Sequence, residues 1–300
     1  MIFFTASYRA IIFPNKKLVE DQRASVFVSK LLVTNALEIS RSNHLTIAST
    51  GKVLVTDAWK ASTAKKTGLT VDSPRRLVDK SDLWRLWSPS INLYESTITA
   101  PSIRVLRNSS ATLNSARIVA DEFETVGAVV SVVGESKIKS NLVLSGDSYL
   151  FFDENSDYKK KANSSDFELV GMRMGLLEIE GSAKVDAKIS MHVLWQPGDV
   201  EKSRKDYGTI FSKQQKIVLL KAQKLSGHAS LISQDEAQKE LGHYQRDINY
   251  VEEFARYYNK KFALEHDYDK GTISLRIIDK GDPLARQIDS HGCLPDIGRH

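Results

Sequence analysis

Three hundred residues suffice for one large domain or two modest ones, with a proper core. At 41% hydrophobic and 26% charged, with only 16 Gly and 7 Pro, the composition excludes collagen-like, low-complexity and disordered chains. A lone cysteine, Cys293, excludes an intramolecular disulfide and a multi-thiolate zinc site, and it fits a reducing compartment. The formal charge of +5 is unevenly spread: residues 1–90 carry 14 Lys/Arg against 7 Asp/Glu, and residues 201–225 carry 7 against 2. Two basic regions on an otherwise acidic body either attract polyanions or serve as a solubilising surface.

The apolar start Met1–Phe4 is interrupted by Ser7, Tyr8 and Arg9, so it reads as neither a signal peptide nor a membrane span. Val126 to Val133, the longest apolar stretch elsewhere, falls well short of the roughly 20 residues a bilayer requires. A soluble or peripheral chain is expected. Residues 1–80 are read as a basic N-terminal region of mixed structure, with Lys52–Val55 as a short strand and residues 60–76 as a basic loop marking a domain boundary. Trp84 and Trp87 share one face of a short helix that Pro89 stops, and they serve as a packing anchor or as a base-stacking platform.

From 81 to 280 a β-rich core is expected, of α+β class. Runs rich in Val, Ile, Thr and Ser recur at strand length between Ile91 and Trp195, punctuated by Gly, Asn and Asp, which predicts an antiparallel sandwich or jelly-roll-like core. The alternation over 184–193 puts Val185, Ala187, Ile189, Met191 and Val193 on one buried face and His192 on the other. A further strand is predicted at Ile217–Leu220. Ser233 and Glu236 have capping-box spacing, and Ala237, Leu241, Tyr244, Ile248, Val251, Phe254, Tyr258 and Phe262 recur at helical intervals. A C-terminal amphipathic helix over 233–262 follows, either covering an open face of the sheet or binding a partner. Gly271–Asp279 reads as a strand, and 281–300 as a flexible tail.

Enzymatic signatures are missing: no Walker loop, dinucleotide fingerprint, HExxH helix or GxSxG elbow occurs. The seven histidines are spread singly, with no pair at ligand spacing on one element, and Cys293 lies in the expected tail. Asp153, Glu154, Asp157 and Asp166 surround Lys159–Lys161 in what reads as a solvated hairpin loop. The expectation is therefore a non-enzymatic protein without catalytic residues, metal or cofactor.

The order of features from Phe167 onward is strand Phe167–Ile179 with a turn at Gly181, alternating strand Ile189–Leu194, basic segment Lys202-Ser203-Arg204-Lys205, then apolar strand Ile217–Leu220. This layout resembles the thirty-kilodalton superfamily of plant-virus cell-to-cell movement proteins, over roughly residues 91–280. Trp195 and Gln196 stand where that family carries an aspartate, so no functional residue is carried over. The resemblance implies a viral protein that binds single-stranded nucleic acid without sequence choice, contacts nucleocapsid components and membranes, and works in host cytoplasm or at plasmodesmata.

Independently of the resemblance, the basic residues support binding of single-stranded RNA or a ribonucleoprotein through counterion release. The contact set is Lys202, Arg204, Lys205, Lys213, Lys216, Lys221 and Lys224, with Lys65, Lys66, Arg75 and Arg76 as a second patch. The alternative is a self-associating structural protein, such as a viral matrix or capsid-associated subunit, acting through protein–protein contacts. A hydrolase or transferase assembled from distant residues is the third reading.

Overall fold

The computed structural model describes residues 2–4, 10–12, 25–28, 31–33, 36–39, 44–47, 52–55, 90–106, 109–153, 157–160, 167–171, 173–192, 215–233, 236–237 and 259–299. Nineteen strands in these segments hydrogen-bond into one continuous sheet. Outside two antiparallel pairings, the described strands stack in parallel on chain further on. Between residues 90 and 153 the step is about 20 residues, with Ser102 beside Glu122, Arg117 beside Lys137 and Val129 beside Tyr149; it is longer elsewhere, with Lys52 beside Ser102 and Leu142 beside Ala183. The chain therefore winds as a parallel solenoid, in which each turn buries its inward face only by stacking on its neighbours.

Three ladders form its sides. Ladder A runs through β1 (Ile2–Phe4), β4 (Leu31–Val33), β7 (Lys52–Val55), β10 (Ser102–Val105) and the later half of β12 (Arg117–Val126). It continues through the middles of β14 (Glu135–Asp153) and β17 (Leu176–His192) to the end of β18 (Lys216–Ser226). Ladder B takes β2 (Ala10–Ile12), β5 (Ala36–Ile39), β8 (Ser90–Tyr94), β11 (Ser110–Asn114) and β13 (Val129–Val133), then the ends of β14 and β17, then β19 (Ser230–Leu231). Ladder C takes β3 (Ser25–Val28), β6 (His44–Ile47) and β9 (Thr97–Thr99), then the starts of β12, β14, β17 and β18.

Period-two alternation explains the core. Inward residues stack in columns: Ile103, Phe123, Leu142, Ala183 and Leu225 on ladder A; Leu93, Leu113, Val132, Phe152 and Met191 on B; Ile98, Ile118, Ile138, Ile179 and Ala222 on C. All are buried. The intervening outward positions carry Lys, Glu, Ser, Thr and Asn, as a half-buried strand requires. Val185, Ala187, Ile189 and Met191 are buried as the alternation predicts.

The chain is thus β-rich, but the antiparallel sandwich or jelly-roll-like pairing expected for 91–195 is replaced by parallel stacking. Short alternating strands bury the same face in either arrangement, so their pattern does not choose between them. Strands β1–β7 lie in the expected N-terminal region and pair into the same ladders as the rest. Among the described residues, antiparallel pairing occurs in two places. One is the separate hairpin of β15 (Asp157–Lys160) with β16 (Phe167–Gly171). The other closes ladder C, where β18 pairs with β21 (Thr272–Asp279), and β21 with β20 (Lys260–Asp267).

The capping box at the start of the expected C-terminal helix is formed. Glu236 N–H donates to Ser233 Oγ (3.1 Å), Ser233 N–H donates to Glu236 Oε2 (3.2 Å), and Ala237 packs on Tyr149 and Phe151 of ladder B. No C-terminal helix is seen beyond Glu236 and Ala237 among the described residues, and 238–258 lie outside them. Its expected end, Lys260–Phe262, is strand instead, because Phe262 is registered against Ile277 and Lys260 against Asp279. The predicted helix at Trp84 and Trp87 and the loop over 60–76 also lie outside the described residues. No described helix is long and apolar enough to cross a membrane.

Candidate functional site

Of the expected nucleic-acid contact set, Lys202, Arg204, Lys205, Lys213, Lys65, Lys66, Arg75 and Arg76 lie outside the described residues. Their flanking strands nevertheless fix where each segment departs. The chain carrying Lys65 to Arg76 leaves ladder A after Val55 and re-enters ladder B at Ser90, whereas the one carrying Lys202 to Lys213 leaves ladder B after His192 and re-enters ladder C at Lys216. The two basic segments therefore spring from different corners of the solenoid.

Lys216, Lys221 and Lys224 all project outward from β18. Lys216 pairs with Glu265, whose other oxygen accepts from Arg276 at 2.6 Å. Lys221 stands beside Glu178, itself paired with Lys137 at 2.9 Å, and Lys224 stands beside Ser182. Arg104 pairs with Glu124 across ladder A in the same way. Among the described residues, Lys137, Glu178 and Lys221 alternate in sign along one outer column, as do Arg104 and Glu124 on another, which is the favourable cross-strand arrangement, whereas Arg117 stands directly beside Lys137.

Three long departures from the coil share one corner. After Asp153, after His192 and after Ile232, the chain leaves ladder B and rejoins the ladder-C sheet at Leu176, Lys216 and Lys260. The first is closed at its base by Gly175 N–H donating to Asp153 O (2.8 Å). A Cβ at Gly175 would lie 2.2 Å from Val132 O, so only glycine lets that closure lie flat on the turn beneath. Residues 154–175 hold 4 Lys/Arg and 4 Asp/Glu, residues 193–215 hold 4 and 3, and residues 233–259 hold 3 and 6. The excursions are together close to neutral.

A second constellation lies where the last turn meets the closing strands. Gly227 turns the chain between β18 and β19 at φ +82°, and a Cβ there would sit 2.7 Å from both Val185 O and Asp186 Oδ1. His228 follows directly. His266 lies on β20 and is 1% exposed. Cys293 and Asp296 come from the expected flexible tail, which instead runs parallel to β20: Leu264 N–H donates to Gly292 O (2.9 Å), Leu294 N–H to Leu264 O (2.8 Å) and Ile297 N–H to His266 O (2.9 Å). Asp289 Oδ1 accepts from His291 N–H (2.8 Å) and Cys293 N–H (2.9 Å), fixing the turn that brings Cys293 inward.

The His228 and His266 rings stack with centroids 4.6 Å apart. Asp296 Oδ1 lies 3.6 Å from His228 Nδ1 and 3.7 Å from His266 Nδ1, and all three atoms are buried without a hydrogen-bond partner. Asp296 Oδ2 accepts from Arg299 (2.8 Å), whose guanidinium lies over the Tyr268 ring, and Tyr268 donates to Gly227 O (2.6 Å). Ala229 is clamped from both sides, its N–H donating to His266 Nε2 (3.2 Å) and its carbonyl accepting from Cys293 Sγ (3.2 Å). His228, His266 and Cys293 each offer a ligand atom within 4.8 Å of the others.

Burial, reinforced by the neighbouring His228, takes the His266 imidazole down to about 4, against the pull of Asp296. Burial, then Asp289, pushes the Cys293 thiol up to about 12. A neutral thiol on a sulfur sealed from solvent is the opposite of an activated nucleophile, so Cys293 and His266 do not form a cysteine–histidine catalytic pair as they stand. What they can do is ligate. Sequence reading missed the group because its members come from separate segments, and Cys293–Asp296 is its only short spacing. No protein-family model matches the chain, nor does any curated protein or solved structure.

Proposed function

We propose that this chain is a structural protein: a filled solenoid shaft that self-associates through the corner from which its three long excursions leave. The observation that carries this reading is that three long departures, after 153, 192 and 232, leave from one edge of the coil, while the long gap between Val55 and Ser90 opens at another. Loops mounted on a rigid scaffold are where binding surfaces are built. The near-neutral charge of those excursions favours a protein partner over a polyanion, because phosphate binding draws its affinity from a net surplus of Lys and Arg. Lys216, from the nucleic-acid contact set, is already held by Glu265.

Light scattering on the full chain across a concentration series, with and without single-stranded RNA, tests the reading. Concentration-dependent assembly without RNA is expected, with lysine cross-links between copies at Lys159, Lys160, Lys161, Lys202, Lys205 and Lys213. A chain that stays monomeric, and that shifts single-stranded RNA in a gel only while the 202–224 cluster keeps its positive charge, would overturn it in favour of nucleic-acid binding.

A further inference from the structure

We propose that His228, His266, Cys293 and Asp296 bind a divalent transition metal of the zinc class, which pins the C-terminal closing strands to the last turn of the solenoid. The donors are two imidazoles, a thiol and a carboxylate, a borderline-soft mixture that suits zinc and excludes calcium and magnesium, which take oxygen ligands.

The spacing points the same way. At 3.6 and 3.7 Å, the Asp296 Oδ1 contacts to the two Nδ1 atoms are too long for hydrogen bonds. In a tetrahedral site with bonds of about 2.0–2.1 Å, neighbouring nitrogen and oxygen donors stand about 3.4 Å apart. The two Asp296 contacts are therefore nearly those of neighbouring ligands, while the ligand atoms of His228, His266 and Cys293 lie within 4.8 Å of one another, so the thiol has to close on the ion from further out. A cation between the three atoms satisfies every one of the buried polar atoms that the side chains of this cluster leave unpaired.

The surroundings resemble the outer support of a metal site. Arg299 holds the second oxygen of Asp296, and Asp289 fixes the backbone that presents Cys293. With His266 and Cys293 both buried, the site is of the closed, structural kind. Ala229 is the group that has to yield. With Nε2 accepting from Ala229, the ring proton of neutral His266 sits on Nδ1. Ligation through Nδ1 moves that proton to Nε2, and ligation by Cys293 releases the thiol proton that bonds Ala229 O, so both bonds to Ala229 open.

Cobalt(II) titration of the chelator-stripped full-length chain, followed by displacement with zinc, tests the site. The expected result is one ion per chain, a thiolate-to-cobalt charge-transfer band that zinc abolishes, and a higher unfolding temperature with zinc. Cys293→Ser removes the band. His228→Gln, at a partly exposed side chain, keeps the circular dichroism spectrum of the parent and weakens zinc binding more than about 100-fold, beyond the loss from removing an outer-shell partner. His291→Gln, at an exposed neighbour, leaves binding unchanged. A folded chain that takes up no stoichiometric cobalt, a cobalt complex without the thiolate band, or parental affinity in His228→Gln would each overturn the proposal.

Discussion

Replacing Gly175 by alanine tests the stacked-turn architecture at one atom. The added Cβ would stand 2.2 Å from Val132 O and 2.8 Å from Val132 C, on the neighbouring turn. Gly175 is not among the glycines of positive φ, so space alone, and no special backbone conformation, demands glycine there. Relief even to 3.0 Å requires the turns to part by about 0.8 Å. The bond that spans the parting turns beside the clash, Leu176 N–H to Gly134 O at 2.8 Å, would then stretch to about 3.6 Å, past hydrogen-bond reach. Its loss costs about 1 kcal/mol, rising toward about 3 kcal/mol where a buried group is left unsatisfied. The assay is the urea midpoint of cooperative unfolding, with Gly281→Ala as control, since a Cβ at Gly281 meets nothing within 4 Å. The control is expected within about 0.5 kcal/mol of the parent. A Gly175→Ala chain equally close to the parent would refute the stacking of residue 175 on Val132.

Two further outcomes follow from buried polar groups. Ser148 spends its only hydroxyl proton on Ser145 O (2.6 Å), so Thr125 must donate in the 2.9 Å Thr125–Ser148 contact inside the coil. Ser148→Ala therefore strands a fully buried Thr125 hydroxyl at a cost of about 1–3 kcal/mol, and adding Thr125→Val recovers part of it; additive losses in the denaturation cycle would contradict this assignment. Glu265→Ala removes the carboxylate that both Lys216 and Arg276 share and is expected to cost about 2–3 kcal/mol, whereas Lys216→Ala, at a side chain one-third exposed, costs less than about 1 kcal/mol. The reverse order in thermal unfolding would show that Glu265 is not the hub.

Alternation along Lys184–Val193 was enough to place Val185, Ala187, Ile189 and Met191 inside, and the Ser233–Glu236 spacing was enough to place a cap. Both are local facts, settled by where successive side chains point and by which donors a helix start leaves open. Strand partners are not local. The column Ile103, Phe123, Leu142, Ala183, Leu225 shares apolar character and no residue type beyond leucine, and its interval of about 20 residues is hidden by long excursions at 154–175 and 193–215. Lys260–Phe262 continued a helical pattern, yet pairing with Ile277–Asp279 took those residues into a sheet, since a complete ladder of backbone bonds outweighs propensity of a few tenths of a kcal/mol per residue. His228, His266, Cys293 and Asp296 meet only because the final strands fold back on the last turn. The residues fixed which faces could be buried; the coil decided which of them met, because neighbours across a parallel ladder are set by the accumulated lengths of all the turns and excursions between them.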